Sequence, residues 1–400
     1  MAGNIVKVKD GQYRLRYKDS SKYVKAKSDR EAEKLLAKFV TEVESGDFRQ
    51  PSKITFKEFV QKWEKEYAAV HLQPMTLYRY KIMLDKKIIP EFGDKKLEKI
   101  TPLDLVEFYN SLRKDGARND KMKVGDILVN RPGGLSEQSI KHHHRLICAL
   151  FEKAIKWGLL KGRNPAKSVD APKVEKKKAK CYDEKQVQTL LDALGNAGPE
   201  ELKYKVATMI ALMTGARRGE VLGLEWQDID PDNKTIEIRQ ASQYLPDKGT
   251  FTKAPKNETS RRIISVNDDL LALLAEYREE QRSKGFICRD NNRLFVTWDG
   301  KPMLPQTISE WFPKFLEKHK LPRMTFHGLR HTSATFLISR GMDVETVAGR
   351  LGHSTSATTQ NVYSHFLKSK DRQAAELMED AFSKKKPGEK KKKVRKSKGV

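Results

Sequence analysis

Side chains that can bind and attack a phosphate ester recur at short spacings in the second half of the sequence. Arg217 and Glu220 are three residues apart in TGARRGEVLGLEW. His327 and Arg330 have the same spacing in HGLRHTSATFLISRG, so a helix would place both on one face. His353 follows in LGHS, at an expected helix end. One such pair is typical of a solvated helix face, but the succession of pairs favours a site.

Tyr363, ten residues after His353, adds a nucleophile to this series. Its hydroxyl, with an ordinary pKa of about 10, can attack phosphorus if a base accepts the proton. Two arginines can bind the phosphate and neutralise the charge that develops on it. A lysine suits protonation of the leaving 5′ oxygen, and the segment FTKAPKNETSRRIISV contains two, Lys253 and Lys256. The pattern indicates phosphodiester transfer.

Local motifs of several other chemistries are missing from the sequence. It contains no G-x-x-x-x-G-K-[ST], no H-E-x-x-H and no G-x-S-x-G. His142, His143 and His144 are consecutive, so on a helix they would point about 100° apart, and we expect them to be surface histidines of a helix. Because no Asp/Glu cluster has metal-ligand spacing, we expect the site to draw its positive charge from side chains, without a metal or cofactor.

The charge balance indicates a polyanionic partner. The 400 residues include 79 Lys and Arg against 53 Asp and Glu, a formal charge of +26, which favours nucleic acid first and an anionic membrane second. No apolar run is long enough to span a bilayer, and no signal peptide is evident. The three cysteines form no C-x-x-C pair, as expected in a reducing cytoplasm.

Pattern changes along the chain predict several domains, mainly α with small β elements. We expect a three-stranded sheet plus helix over 1–48, a helical domain over 54–165 and a basic linker over 166–181. An α+β domain is predicted over 182–382, followed by a disordered basic tail over 383–400.

Turn and capping residues predict where the elements begin and end. The amino-terminal strands should break at Asp10-Gly11 and at 19–21, and Ser28 should cap the helix that follows. In the helical domain, Pro90 and Gly93 should end one helix, and 114–134 should be a long loop. Helix starts are predicted at two further caps, Thr101-Pro102 and Ser136.

In the last domain we predict one hairpin from TIEIRQASQYL and SRRIISV. A helix, a turn at Gly341 and a second helix capped by Asp343 should follow. An amphipathic helix is expected from Asp371 to Phe382, suited to docking on a neighbouring protomer.

These motifs resemble the tyrosine recombinase (phage integrase) family. The likeness rests on T-G-x-R-x-x-E at 214–220, H-x-x-R-H at 327–331, L-G-H-S at 351–354 and the Tyr363-x-His365 ending. It extends over almost the whole chain. Residues 1–48 look like an arm-type DNA-binding domain, 54–165 like a SAM-like core-binding domain and 182–382 like the catalytic domain.

The resemblance implies a role for each site residue. Tyr363 would form a covalent 3′-phosphotyrosyl link and free a 5′ hydroxyl. Arg217 and Arg330 would hold the non-bridging phosphate oxygens, with His327 as proton acceptor and His353 as a hydrogen-bond partner of the phosphate. Glu220 would orient Arg217 or the lysine hairpin.

The general acid has two candidates under the same resemblance. The family's P-K-T-x-x-S-x-R hairpin matches Pro255-Lys256, Ser260 and Arg262, which favours Lys256. Asn257 stands where Thr is common, and Lys253 is the alternative. At the first arginine, the offset to Glu220 favours Arg217 over Arg218.

The implied partners are double-stranded DNA, with core and arm attachment sites, and further copies of the chain. A homotetramer would exchange strands through a Holliday junction in a bacterial cytoplasm, associated with the nucleoid, without a membrane partner. An excisionase and a host DNA-bending protein would be accessory factors. Two alternatives are a sequence-specific regulator that uses 331–354 as a helix-turn-helix, and a type IB topoisomerase.

Overall fold

A computed structural model describes most of the chain. The described residues are 3–45, 54–114, 116–118, 121–124, 127–175, 180–253, 261–286, 289 and 292–353, together with 378 and 382. The chain divides into two compact units, Met1–Lys176 and Lys177–Val400. The finer domain limits drawn from the sequence stay a prediction.

The first unit begins with a small sheet and one helix. They are β1 (Asn4–Lys9), β2 (Gln12–Tyr17), β3 (Ser20–Lys25) and α1 (Asp29–Glu44). The strands pair antiparallel in the order β1-β2-β3, which confirms the predicted breaks. Ser28 caps α1 by accepting the Glu31 N–H, also as predicted.

Alternation along β2 decides which face of this sheet is buried. Tyr13, Leu15 and Tyr17 are buried and pack with apolar residues of α1, such as Phe39. Their strand neighbours point to the opposite face, where Arg14 pairs in register with Tyr23. The face opposite α1 is therefore polar, with exposed aromatic and aliphatic side chains among its charges.

The rest of the first unit is mainly helical. Its elements are α2 (Phe56–Trp63), a π turn (Glu64–Ala68), α3 (Ala69–His71), α4 (Pro74–Met83), a second π turn (Leu84–Ile88), α5 (Ile89–Phe92), a 3-10 turn (Leu97–Lys99), α6 (Pro102–Arg113), β4 (Lys121–Val124), β5 (Ile127–Asn130), α7 (Glu137–Lys156) and a 3-10 turn (Pro165–Ser168). Thr101 and Ser136 cap α6 and α7 as predicted.

The periodic apolar residues of these helices form one core. Phe56, Phe59, Val60 and Trp63 are buried on the predicted face of α2, and Phe151 of α7 packs on Phe56 with the two rings inclined at 52°. The helical character expected of this part of the chain is confirmed.

Three expectations for this part were wrong. Gly93 does follow the end of α5, but Pro90 lies inside it and does not end the helix. In the preceding π turn the Ile89 N–H donates to the Leu84 carbonyl, so the irregular hydrogen bonding accommodates a proline, which has no N–H to donate. The segment 114–134 is not one long loop, because β4 and β5 pair antiparallel across residues 125–126.

The third error concerns the histidines of α7. His143 and His144 are buried, whereas His142 is exposed. The ring of His143 hydrogen-bonds the Ser139 carbonyl and that of His144 the Tyr109 hydroxyl, at 2.8 Å and 3.2 Å. Two neighbours 100° apart both reach the core side of a wide buried face, and the hydrogen bonds offset the cost of burying their polar atoms.

The second unit combines helices with short strands. It contains α8 (Glu184–Gly195), a 3-10 turn (Pro199–Glu201), α9 (Leu202–Thr214), α10 (Arg218–Val221), a 3-10 turn (Trp226–Asp228), β6 (Ile229–Asp230), β7 (Thr235–Ile238), β8 (Ala241–Leu245), β9 (Gly249–Lys253), β10 (Arg262–Ser265), α11 (Asp268–Ser283), α12 (Pro305–Lys318), α13 (Gly328–Ser339) and α14 (Val344–Leu351). The predicted class, mainly α with small β elements, is confirmed.

One strand pairing of the predicted hairpin is confirmed, but its first strand is not continuous. β7 pairs antiparallel with β10, as TIEI and RIIS should. The stretch ASQYL does not continue β7, since β8 pairs instead with β9. Three strands form a sheet in the order β10-β7-β6, and β8 and β9 form a separate two-stranded sheet. Periodicity could not separate β7 from β8, because both alternate in the same way.

Helix α9 is the centre of the second unit's core. Its buried residues extend around most of its circumference, as expected for a helix covered on several sides. It packs against α11 and α13, with Ile210, Leu274, Phe312 and Leu329 in the same apolar cluster. Helices α13 and α14 are joined by a turn at Gly341, with Asp343 as the second cap, as predicted.

No helix within the described ranges combines the length and apolar character that a membrane crossing requires. The amphipathic helix predicted over 371–382 lies outside the described residues, apart from Met378 and Phe382. The basic tail over 383–400 also lies outside them.

Two glycines allow the chain to reverse at the ends of α9 and α14. Gly215 ends α9 with φ of 67° and Gly352 ends α14 with φ of 68°, both in the left-handed region. A Cβ at Gly215 would lie 2.4 Å from Leu351 Cδ2, so glycine is needed there for both conformation and space.

Replacing Gly215 with alanine tests this double constraint. Gly249 has nearly the same φ, 69°, but a Cβ there would meet nothing within 4 Å. We expect G249A to cost only the conformational strain, about 1–2 kcal/mol, and G215A a further about 1–3 kcal/mol from overpacking. Chemical unfolding of the two variants measures the difference; equal losses of stability would contradict the steric argument.

Candidate active site

The first part of the site is the reversal between α9 and α10. The Thr214 hydroxyl donates to the Ile210 carbonyl and accepts the Ala216 N–H, at 2.6 Å and 3.1 Å, so it closes the end of α9. After Gly215 the chain turns and Arg217 becomes the N-cap residue of α10. Its side chain is 40% exposed, and its guanidinium is therefore accessible from outside.

Arg330 lies beneath this reversal. It projects from the first turn of α13 and is only 3% exposed. Its Nη1 donates to the carbonyls of Gly215 and Leu351, at 2.8 Å and 2.7 Å. One buried guanidinium thus joins the segment before Arg217 to the end of α14.

Glu220 connects Arg217 to a further arginine. One carboxylate oxygen accepts Arg217 Nη1 at 2.6 Å, and the other accepts the Arg217 backbone N–H and Arg262 Nη2, both at 2.8 Å. Burial would raise the pKa of the Glu220 carboxyl, but Arg262 and Arg217 outweigh burial and hold that pKa below its usual range. Glu220 is therefore an ionised, buried carboxylate that orients Arg217.

His353 follows Gly352 at the end of α14. Its backbone N–H donates to the Ala348 carbonyl at 3.0 Å, in a left-handed helix ending that closes on Gly352. The Gly352 carbonyl accepts Arg217 Nη2 at 3.1 Å, so the segments that carry Arg217 and His353 are in direct contact. Burial, followed by the charges of Arg330 and Arg217, lowers the pKa of the His353 imidazole to about 4.

His327 stands at the start of α13, one turn before His331. Their rings meet edge to face with centroids 4.9 Å apart. Burial, and then the charges of Arg330 and Arg217, lower the pKa of His327 below its ordinary value. Burial, and then His327, lower the pKa of His331 to about 4. Near neutral pH these imidazoles are uncharged, so each ring has one nitrogen able to accept a proton.

The structure brings four of the six predicted residues into one cluster: Arg217, His327, Arg330 and His353. Lys256 and Tyr363 lie outside the described residues. Lys253, the alternative lysine, is the last residue of β9. Arg218 donates from Nη1 to the Ser309 hydroxyl of α12, whereas Arg217 pairs with Glu220.

Two further arginines next to the site, Arg262 and Arg350, were given no role in the sequence analysis. Arg262 pairs with Glu220 and donates from Nε to the Arg350 carbonyl at 2.7 Å. Arg350 donates from Nη2 to the carbonyls of Met213 and Ser265, at 2.9 Å and 3.1 Å. The S-x-R pattern contained Arg262 without indicating a role, and nothing in GRLGHS distinguishes Arg350 from a surface arginine.

The arrangement can bind and polarise an anion. It combines permanently charged guanidinium groups with neutral imidazoles, so it can neutralise a phosphate and still accept a proton. Among the described residues, no group of three or more His, Cys, Asp or Glu side chains is placed to hold a metal ion.

Comparison with known proteins identifies this combination of fold and site. The protein-family model described as "Phage integrase family" matches residues 180–370. The family model described as "Phage integrase, N-terminal SAM-like domain" matches residues 55–113. Together the two models cover more than half of the chain.

Relatives with similar sequences include two from bacteria. A "Tyrosine recombinase XerC-like" protein of Caldanaerobacter subterraneus subsp. tengcongensis is 26% identical, over 89% of this chain and 90% of that protein. The "ICEBs1 integrase" of Bacillus subtilis is 25% identical, over 89% of this chain and 91% of that protein.

Solved structures with a similar fold include integrases bound to DNA. The Tn1549 transposon integrase in complex with transposon right end DNA matches with a TM-score of 0.63 at 21% identity, over 83% of this chain and all of that one. A lambda integrase tetramer bound to a Holliday junction matches with a TM-score of 0.52 at 18% identity, over 89% and 94%. At these identities the likeness concerns the fold.

The fold and the site thus define a site-specific DNA recombinase of the tyrosine type. The chain belongs to the phage integrase family, and the resemblance seen in its motifs is confirmed.

The depressed histidine pKa values predict how stability depends on pH. His331 and His353 have pKa values of about 4 in the folded chain, against about 6.5 when unfolded. Between these values the unfolded chain binds more protons, so the free energy of unfolding should fall as the pH drops from about 6.5 towards about 4.

Glutamine variants isolate this contribution from that of the carboxyl groups. H331Q and H353Q should each lose less unfolding free energy than the wild type between about pH 7 and about pH 5. H142Q, which removes an exposed histidine, should keep the wild-type slope. Denaturant titrations at both pH values measure the change in unfolding free energy. The same change in the wild type and all three variants would contradict the low histidine pKa values.

Proposed function

We propose that the chain is the integrase of a mobile genetic element, which cuts and rejoins DNA through a covalent 3′-phosphotyrosyl intermediate. The observation that carries this proposal is the convergence of Arg217, Arg330, His327 and His353, from three separate segments, on one cluster with Glu220 beneath Arg217. Such a cluster suits the charge of a phosphodiester under attack better than it suits simple DNA binding.

The first chemical step forms one bond and breaks another at the same phosphorus. The Tyr363 oxygen bonds to phosphorus while the bond from phosphorus to the 5′ oxygen breaks. His327, neutral near pH 7, accepts the tyrosine proton, and Lys256 donates a proton to the 5′ oxygen. Arg217 and Arg330 bind the non-bridging oxygens, and His353 hydrogen-bonds the phosphate.

The second step is the reverse reaction with a different strand. The 5′ hydroxyl of a partner strand attacks the phosphotyrosyl phosphorus and gives its proton to Lys256. The bond from phosphorus to the Tyr363 oxygen breaks, and His327 returns a proton to that oxygen. Phosphodiester bonds are conserved in number, so the energy of the cut bond is kept in the covalent link. Two successive exchanges, by a homotetramer on two duplexes, pass through a Holliday junction; the tetrameric state of lambda integrase on such a junction supports this assembly.

The amino-terminal sheet is proposed to bind arm-site DNA. Its face opposite α1 carries Arg14 and Arg16 on β2 and an exposed Tyr23 on β3, with Arg14 5.4 Å from the Tyr23 ring centroid. Basic and aromatic side chains on one sheet face suit contacts with phosphates and bases. The helical part, 54–165, would bind the core site. The basic linker, 166–181, would lie along the phosphate backbone of the DNA.

Partners and location follow from the same proposal. The substrates are double-stranded core and arm attachment sites, and an excisionase and a host DNA-bending protein would set direction and geometry. The protein would act in the cytoplasm of a bacterial host, at the nucleoid. Relatives named as integrases of Bacillus subtilis and of Staphylococcus phage L54a support a mobile element of either origin.

The regulator alternative is weaker on structural grounds. Helices α13 and α14 do form a helix-turn-helix, but α13 is largely buried and directs Arg330 into the cluster. A type IB topoisomerase would share the chemistry, yet it would not need an arm-binding sheet to select distant sites.

The nucleophile is tested with a nicked duplex that contains the junction of the circularised element, in buffer without magnesium. Wild type should accumulate a covalent protein–DNA adduct, and Y363F should bind the duplex with none. The control Y244F removes a hydroxyl from β8 and should form the adduct normally. An adduct from Y363F would refute the nucleophile assignment.

The phosphate clamp is tested by R330K, which keeps the charge but loses the planar fork. We expect adduct formation to slow by roughly 10²–10³-fold, as when one oxyanion donor is removed, with duplex affinity largely retained. Gel-shift and single-turnover cleavage assays separate the two effects; unchanged cleavage would refute the role of Arg330.

The arm-binding face is tested by R16A against K22A. Arg16 lies on the face opposite α1, whereas Lys22 lies on the α1 side and pairs with Glu42 at 3.1 Å. If Arg16 contacts a phosphate, R16A should reduce the slope of log affinity against log salt by about 0.9 on an arm-site duplex, and K22A should not. Equal slopes in wild type and R16A would rule out that contact.

A further inference from the structure

Arg262 occupies a position that the chemistry described above does not use. It is the first residue of β10, six positions after Lys256, and its side chain is only 7% exposed. The Arg262 guanidinium is held by several parts of the site.

Three contacts define its place. Arg262 Nη2 donates to Glu220 at 2.8 Å, and Nε donates to the Arg350 carbonyl at 2.7 Å. The third contact is with Gly352, where an added Cβ would lie 2.8 Å from Arg262 Nη1. The guanidinium therefore touches both the carboxylate that holds Arg217 and the turn that carries His353.

The carboxylate of Glu220 depends on this neighbour for its orientation. Its two oxygens are shared between Arg217 and Arg262, and the side chain is 8% exposed, so water does little to hold it in place. Without Arg262, one buried oxygen would keep only the Arg217 backbone N–H among these contacts. The carboxylate could then rotate, and the Arg217 guanidinium bonded to its other oxygen would move with it.

The same guanidinium constrains the end of α14. Its bond to the Arg350 carbonyl and its contact with Gly352 hold the reversal whose Gly352 carbonyl accepts Arg217 Nη2. Arg217 is thus fixed from two sides, through Glu220 and through Gly352, and Arg262 contacts both.

We infer that Arg262 is a positioning residue that couples the strand following Lys256 to Arg217 and His353. The inference rests on the proposed function of this cluster. Through Glu220 and the turn at Gly352, Arg262 links the placement of Arg217 to that of His353.

A double-mutant cycle with Glu220 tests the inference. The proteins are wild type, R262Q, E220Q and the double variant, assayed for single-turnover adduct formation at saturating protein on the nicked junction duplex. R262Q should slow adduct formation roughly 10- to 100-fold, the range for residues that orient a primary contact, with little change in duplex Kd. Because both residues act through Arg217, the double variant should be no slower than the slower single variant.

R261Q is the matched control. Arg261 precedes Arg262, but its side chain is 67% exposed and pairs with Glu237 at 2.7 Å, outside the cluster. R261Q should cleave at the wild-type rate. R262K, which keeps a charge beside Glu220 but cannot also reach the Arg350 carbonyl, should recover part of the rate lost in R262Q.

Each outcome decides for or against the inference. A wild-type cleavage rate in R262Q, or losses that multiply in the double variant, would overturn it. Thermal unfolding identifies a variant that fails to fold; if R262Q does, a wild-type rate in folded R262K would overturn the inference and a reduced rate would support it. If wild type itself forms no adduct, the proposed function fails instead.

Discussion

The buried guanidinium of Arg330 joins two chain reversals, and the geometry of the site depends on that junction. Its Nη1 donates to the carbonyls of Gly215 and Leu351, each directly before a segment that carries a site residue. Burial, and then the positive charge of Arg330, lower the pKa of His327 and of His353, so both imidazoles are neutral near pH 7.

Different groups balance the positive charge of the cluster before and after a phosphate binds. Glu220 neutralises part of the charge of Arg217 and Arg262, which lets these arginines lie close together. A phosphate entering the cluster would supply the remaining negative charge. A cluster rich in guanidinium groups is suited to stabilising the additional negative charge of a transition state. The formal charge of +26 acts at longer range, by drawing DNA to the protein.

Local features of the fold could be predicted because they depend on few neighbours. Ser28, Thr101, Ser136 and Asp343 cap helices through bonds to residues three positions on, so their roles were legible in the sequence. Errors arose where distant contacts outweigh local preference. His143 and His144 are polar by type but find partners in the core. Residues 235–245 look like one strand, but they divide because each half has a different partner strand.

The sequence by itself indicated four of the residues that meet in the cluster, Arg217, His327, Arg330 and His353, because the residue types and their short spacings can be read directly from the motifs. It also determined the helical class, through periodicity. Only the tertiary structure decided how those groups are held. The bond from Arg330 to Gly215 spans 115 positions and that from Arg262 to Glu220 spans 42. Partners so far apart are chosen by packing of the whole unit, and no local pattern encodes them.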